Sequence, residues 1–492
     1  LARRPDSHLR GVSLIAASGL LLRSQNTHGE PFAMKYRPFA LFCLLGLLPI
    51  LVGCPPKSEP TPKSPGPAST SSGSTTASGA ASSSEPAKAA EAAPAKELSP
   101  EVAAFVEELK QKGVDVRVRD GQAYYASYYY GNVSVPVTDD DLASLTKLPD
   151  LKVLVLFGRG ITNNGVQHLV QMKELRDLSL EKTDITDTGL EQFKQMPQLT
   201  ALKLPYSSVT AAGLKHLAEL PNLRTLELLR TLTNDEGLAH IANLKSLASL
   251  DLRDTQVTDD GLVHLKDLTG LKNLKLSTER ITSDGMFHLK DLVNITALTL
   301  DLSAVGDEGL DHLQSLTKLE ELNLYRTNVT DEGLAKLKAF PQLKSLKLRE
   351  DRISADGVKH LAELKELQEI DFSETDIGSD AIESLTALPK LKDLNLWFSL
   401  VDDEGLTHIG KMTQLTRLNL DKTMVSDAGI PQLTTLQNLT WMHLGSNNLS
   451  DAAVEPLSQL KSLKTLILTF NNFSEGGRAK LREALPNCEI QF

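Results

Sequence analysis

Eight of the eleven histidines stand 24 residues, or a multiple of 24, apart: His168, His216, His240, His264, His288, His312, His360 and His408. Such a file invites a zinc or pH-sensing reading, since imidazole binds zinc at about 2.0 to 2.1 Å. A second file, acidic, keeps the same spacing: Asp187, Asp235, Glu236, Asp259, Asp260, Asp307, Glu308, Asp331, Glu332, Asp403 and Glu404. Stacked carboxylates could hold calcium, which takes about six to eight oxygens. Neither file converges. Residues recurring once per unit lie on successive elements, and packed helix axes are about 8 to 10 Å apart, so neighbouring imidazoles share an ion only by leaning together. Each acid falls where a helix would begin, complementing the helix dipole. Both files therefore read as by-products of a repeating unit, the histidines half-exposed and the acids forming a rim that favours cationic partners. No metal and no cofactor are expected. The chain carries no P-loop, zinc-binding helix motif or nucleophile elbow, and no Cys and His at nucleophile spacing, so an enzyme is not expected.

The elements that position these files come from one pattern, L-x-x-L-x-L-x-x-T-x-I/V-T-D-x-G-L-x-x-L, repeated every 24 residues from Leu151 onward in fourteen copies. Leucines at positions 4 and 6 alternate with polar residues, the mark of a short strand with one buried face. Thr-Asp before Gly-Leu-x-x-Leu supplies a helix cap and acid in the first turn. Glycine fills 12 of 14 places in its column, with Ala381 and Ala453 in the others, which implies a small residue against the next coil. Each unit buries a leucine stripe only by stacking on its neighbours, so the expected fold is α/β: a solenoid with a curved parallel sheet inside and short helices outside.

The chain resembles the leucine-rich-repeat family. Leu439, Met442, Leu444, Asn447 and Leu449 meet its core signature. Most copies place a hydroxyl at the asparagine position, as at Thr183, Thr255, Thr327, Thr375 and Thr423, where it can bond the neighbouring turn. The resemblance implies a binding scaffold.

Positions 3, 5 and 7 of each copy point away from the core, and most are polar. Both tryptophans fall there, Trp397 at position 7 and Trp441 at position 3, with Tyr325 also at position 7 and Phe398, Phe470 and Tyr206 at position 8. Exposed aromatics on a rigid scaffold carry interface energy. The candidate ligand-binding set on the concave face is Trp397, Phe398, Trp441 and Tyr325 with Arg326, Asn395, Arg417, Asn419, Asp421 and His443.

Ahead of the repeats, Ser99-Pro100 starts a helix with Val102, Phe105, Val106 and Leu109 on one face, and Asp120-Gly121 turns a hairpin. The tyrosines 124, 125, 128, 129 and 130 are expected to pack over the first repeat strand as part of a cap. At the other end Cys488 takes a leucine-like place in a truncated strand.

From Met34 the order is a basic start (Lys35, Arg37), an apolar run Phe39 to Val52, then Gly53 and Cys54. That is the order of a signal peptide. Leu51-Val52-Gly53-Cys54 resembles the lipobox of bacterial lipoproteins, which implies cleavage before Cys54 and its acylation. Residues 1–33 read as an over-extended start, 34–53 as the signal peptide, 54–97 as a Pro/Ser/Ala-rich tether, 98–136 as the cap and 137–492 as the repeat domain. Three cysteines at 43, 54 and 488 build no disulfide framework, and a net charge of −11 disfavours nucleic acid. The expectation is a lipid-anchored protein of the cell envelope, on the periplasmic or outer face, holding a protein or polysaccharide ligand. The alternative is a structural, self-associating envelope component.

Overall fold

The computed structural model describes residues 97–129 and 136–492. The signal segment, Cys54, the tether up to residue 96 and Tyr130 lie outside them. From Val153 to Ile467, fourteen short strands alternate with short helices. Every strand pairs in parallel with the next, each residue beside the one 24 further on, from Val153↔Asp177 to Thr465↔Glu489. A 24-residue repeat imposes this register, because a slip of one would turn the leucines out of the core. The sheet is open, with seventeen strands among the described residues.

One copy shows what holds the stack. Leu319, Leu322, Leu324, Val329, Leu334, Leu337 and Phe340 are at most 1% exposed. Each contributes about 1.5 to 3 kcal/mol by leaving water, and does so only where the adjoining copies close over it.

The helix-start corner carries an unforeseen contact. Where an aspartate stands at the first helical position it does more than face its own dipole: it reaches into the next copy. Asp187 Oδ1 accepts from Thr210 N (2.8 Å) and Oδ2 from the Thr210 hydroxyl (2.6 Å). The same pair of bonds joins Asp235 to Thr258, Asp259 to Thr282, Asp307 to Thr330, Asp331 to Ser354, Asp403 to Ser426, Asp427 to Ser450 and Asp451 to Ser474. Only the second acids, Glu236, Asp260, Glu308, Glu332 and Glu404, form an exposed rim. The glycine column faces the same carboxylates, so it packs on the preceding coil and not the next: a Cβ at Gly333 would lie 2.3 Å from Asp307 Oδ1.

Three further readings need correction. The threonines of the asparagine column divide: Thr183, Thr255 and Thr375 bond within their own turn, as Thr255 Oγ1 to Leu252 O (2.6 Å), whereas Thr327 and Thr423 donate to the neighbouring copy, to Asp351 Oδ1 and Asn447 Oδ1 (both 3.1 Å), and Asn447 Nδ2 reaches back to Leu420 O (2.6 Å). A hydroxyl crosses to the next copy where that copy offers Asp351 or Asn447 as acceptor. The tyrosine-bearing strand Gln122–Ser127 does not cover the first repeat strand but extends the sheet, with Tyr125 beside Val153 and Tyr129 6.1 Å from Phe157. At the far end Ile490, beside Leu466, takes the leucine-like place, and Cys488 is only half-buried.

Candidate functional site

Strand alternation puts positions 3, 5 and 7 on the open face, and the chain then turns sharply at position 8. There thirteen of the fourteen copies carry a left-handed residue, non-glycine in twelve of them, among them Tyr206, Arg326, Phe398 and Phe470 with φ of 52° to 60°, and Gly158 in the first. Left-handed backbone costs a non-glycine residue about 1 to 2 kcal/mol, which the bonded turn holds in place. The result is a side chain thrown to the sheet's margin: Phe398 is 52% exposed and Phe470 87%.

The candidate residues gather into two adjoining groups. In the first, the Arg349 guanidinium lies 5.0 Å from the Tyr325 ring and 5.2 Å from the Trp397 ring, bridging both. Arg349 also pairs with Glu374, while the Tyr325 hydroxyl donates to Glu350 Oε1 (3.0 Å). Arg326 approaches Glu350 at 3.9 Å. Partial burial and Glu350 together raise the Tyr325 phenol above its ordinary range. Phe398 lies 6.3 Å from Trp397, and Lys422 stands between both rings and solvent. Exposed Leu400 and Met424, one copy apart, continue this apolar margin.

In the second group, Arg417 covers the Trp441 ring at 4.4 Å and donates from Nε to Asp393 Oδ2 (2.8 Å). His443 packs edge-on against Trp441 at 6.0 Å and lies 3.9 Å from Asp421 Oδ1. Burial lowers the His443 imidazole, with Asp421 opposing. Asn395 and Asn419 sit side by side in register, and each carbonyl oxygen accepts the backbone N–H two residues on, Trp397 N and Asp421 N (both 3.1 Å). Glu369, Asp371, Asp393, Asn395, Arg417, Asn419 and Trp441 line a shallow recess. Burial raises the Asp393 carboxyl, Glu369 and Asp371 push the same way, and Arg417 opposes. The recess is acidic and its margins aromatic.

Arg349, Glu374, Asp393 and Lys422 were missed in the sequence. Arg349 was within reach, because it lies 24 residues after Tyr325 and must neighbour it. In the other half of the face buried Asp251 is consumed internally, accepting from the backbone N, Nε and Nη2 of Arg253 and lying 3.5 Å from Lys275. The histidine column is half-buried along the helices, with His360 exposed. Among the described residues no group of three or more His, Cys, Asp or Glu is placed to hold a metal ion.

With this geometry in place, the chain can be set beside known proteins. The leucine-rich repeat family matches at residues 243–265 and 315–338. An internalin (inlF) from Listeria monocytogenes is similar at 24% identity and a TM-score of 0.51, covering 68% of this chain and 91% of its own. A leucine-rich-repeat protein of Leptospira interrogans shares 20% identity at a TM-score of 0.45, covering 73% of this chain and 100% of its own. A plant peptide hormone receptor, RGFR1 in complex with RGF2, shares 18% at a TM-score of 0.40, covering 73% and 56%. No curated protein matches the chain. The chain thus has the leucine-rich-repeat fold, an open α/β solenoid among its described residues, and two stretches of it match that family's model.

Proposed function

We propose that this chain is a lipid-anchored scaffold of a bacterial cell envelope that holds a protein partner against the C-terminal part of its concave face. One observation carries the binding site: on a mostly polar sheet, Tyr325, Trp397, Phe398 and Trp441 collect within six consecutive copies, interleaved with Arg349 and Arg417. Aromatic and arginine side chains dominate interface hot spots. The apolar margin at Phe398, Leu400 and Met424 supplies surface to bury, and the acidic recess beside it favours a basic side chain of the partner.

The test is capture from the source cell's extract by the protein and by the Trp397→Ala, Trp441→Ala double variant. Each change is expected to weaken binding by about 1 to 2 kcal/mol or more, with stability altered by about 1 kcal/mol or less. Undiminished capture by the double variant removes the site. A partner that survives protease but not glycan digestion moves the reading to a polysaccharide.

The anchor rests on the order of residues 34 to 54. In Cys54→Ser protein, acyl labelling is expected to vanish and membrane partitioning to fall, because stable anchoring needs more than one chain. Retained labelling refutes the anchor and leaves the binding face untouched.

A further inference from the structure

Residue 351 occupies the asparagine column, and its surroundings repeat those of Asn447. Asn447 Oδ1 accepts from Thr423 N (2.9 Å) and Thr423 Oγ1 (3.1 Å), while its Nδ2 donates to Leu420 O (2.6 Å). Asp351 Oδ1 accepts from the matching donors one copy back, Thr327 N (2.8 Å) and Thr327 Oγ1 (3.1 Å). By that correspondence its Oδ2 takes the role of the Asn447 amide nitrogen, and the carbonyl equivalent to Leu420 O is that of Leu324. That oxygen is buried and has no hydrogen-bond partner. A carboxylate oxygen beside a carbonyl oxygen pairs two acceptors, whereas a carboxylic acid has one O–H to donate.

We infer that Asp351 serves in the folded chain as a protonated acid standing in for asparagine, its hydroxyl donating to Leu324 O, and that ionisation loosens the joint between the copies beginning at Leu319 and Leu343. The side chain is 4% exposed. Burial pushes its carboxyl up to about 7, Glu350 acts in the same direction, and the two bonds from Thr327 oppose. The other charged groups nearby are Arg326 on the preceding copy, Arg352 on its own turn and Glu374 on the next. None of them bonds it: Arg326 approaches Glu350, and Glu374 pairs with Arg349. The joint also carries the Tyr325 to Glu350 bond, so a loosened joint reaches the aromatic group described above.

The sign follows from linkage. Between the ordinary carboxyl value of 3.8 and about 7, the folded chain holds a proton that the unfolded chain has released. Stability from this group is therefore full below about 4, falls as pH rises toward about 7, and is flat beyond. In a repeat stack the loss concentrates at one joint.

The experiment compares melting of the full chain with that of Asp351→Asn from pH 5 to pH 8.5. Asparagine supplies the missing donor without a proton, so the variant is expected to melt about 2 to 4 °C higher at pH 8 and to approach the wild type at pH 5. Parallel curves, or a variant less stable at pH 8, overturn the inference. Infrared spectra add a second readout: a protonated-carboxyl band present at pH 6 must disappear in Asp351→Asn, and its persistence there is equally fatal.

Discussion

At the helix-start corner one aspartate contact recurs at nine of the fourteen joints from Asp139–Thr162 to Asp451–Ser474, whereas on the sheet face no two neighbouring copies carry the same set of three at positions 3, 5 and 7. Both regions ride on one backbone with one register. The corner is inside the stack, and each copy meets there the same demand from its neighbour: an orphan helix N–H to satisfy and a carboxylate to bury. The face meets only solvent or a partner, so packing imposes nothing on it. What repeats is scaffold, and what refuses to repeat is where recognition can be written.

That division can be broken most forcefully at the glycine column. In Gly333→Val the added Cβ lies 2.3 Å from Asp307 Oδ1 and 2.8 Å from Val329 Cγ1, so both the staple and the core are displaced. A loss of about 3 kcal/mol is expected in denaturant unfolding. An unchanged midpoint would mean that the corner is softer than its repetition implies. Asp307→Ala should do less, about 1 to 3 kcal/mol, because it removes two bonds and strands the Thr330 N–H without moving the core. Hydrogen exchange at the Thr330 amide reads this directly, and an unaltered rate would reduce the staple to an accident of packing. The tryptophan changes proposed above stand last on this stability scale, and first on the scale of binding.

The same contrast explains what could be read from the chain alone. The leucine columns, the parallel register and the outer helices were legible because a 24-residue period forces equivalent residues into line. The aromatic candidates were legible because Trp397 and Trp441 break a mostly polar pattern. The staples were not, since Asp at a helix start has an ordinary local reason to be there, and nothing within one copy hints that its oxygens face the hydroxyl 23 residues ahead. Arg349 and Asp251 escaped for a related reason. What a charge engages is set by its surroundings in the stack, Tyr325, Trp397 and Glu374 for Arg349, and Arg253 on its own copy with Lys275 on the next for Asp251. Asp251 would have seemed a harmless surface residue, and it is buried.

The staple also has a direction. In the nine aspartate staples the carboxylate belongs to the earlier copy and the hydroxyl with its N–H to the later one, from Asp139 and Thr162 through Asp451 and Ser474, while the joint of Ser379 with Asp402 reverses the order. The two ends of the array are therefore chemically unlike. A break at an aspartate staple leaves behind a carboxylate that water solvates readily. The piece beyond the break begins with a half-buried backbone N–H that has lost its acceptor. In this chain Asp139, on the helix Asp139–Leu145, fills that need for the first copy by accepting from Thr162 N and its hydroxyl. Along these joints the solenoid thus has a grain, like timber: a copy lost from the tail strands no such N–H on the stack that remains, whereas a copy lost from the head does.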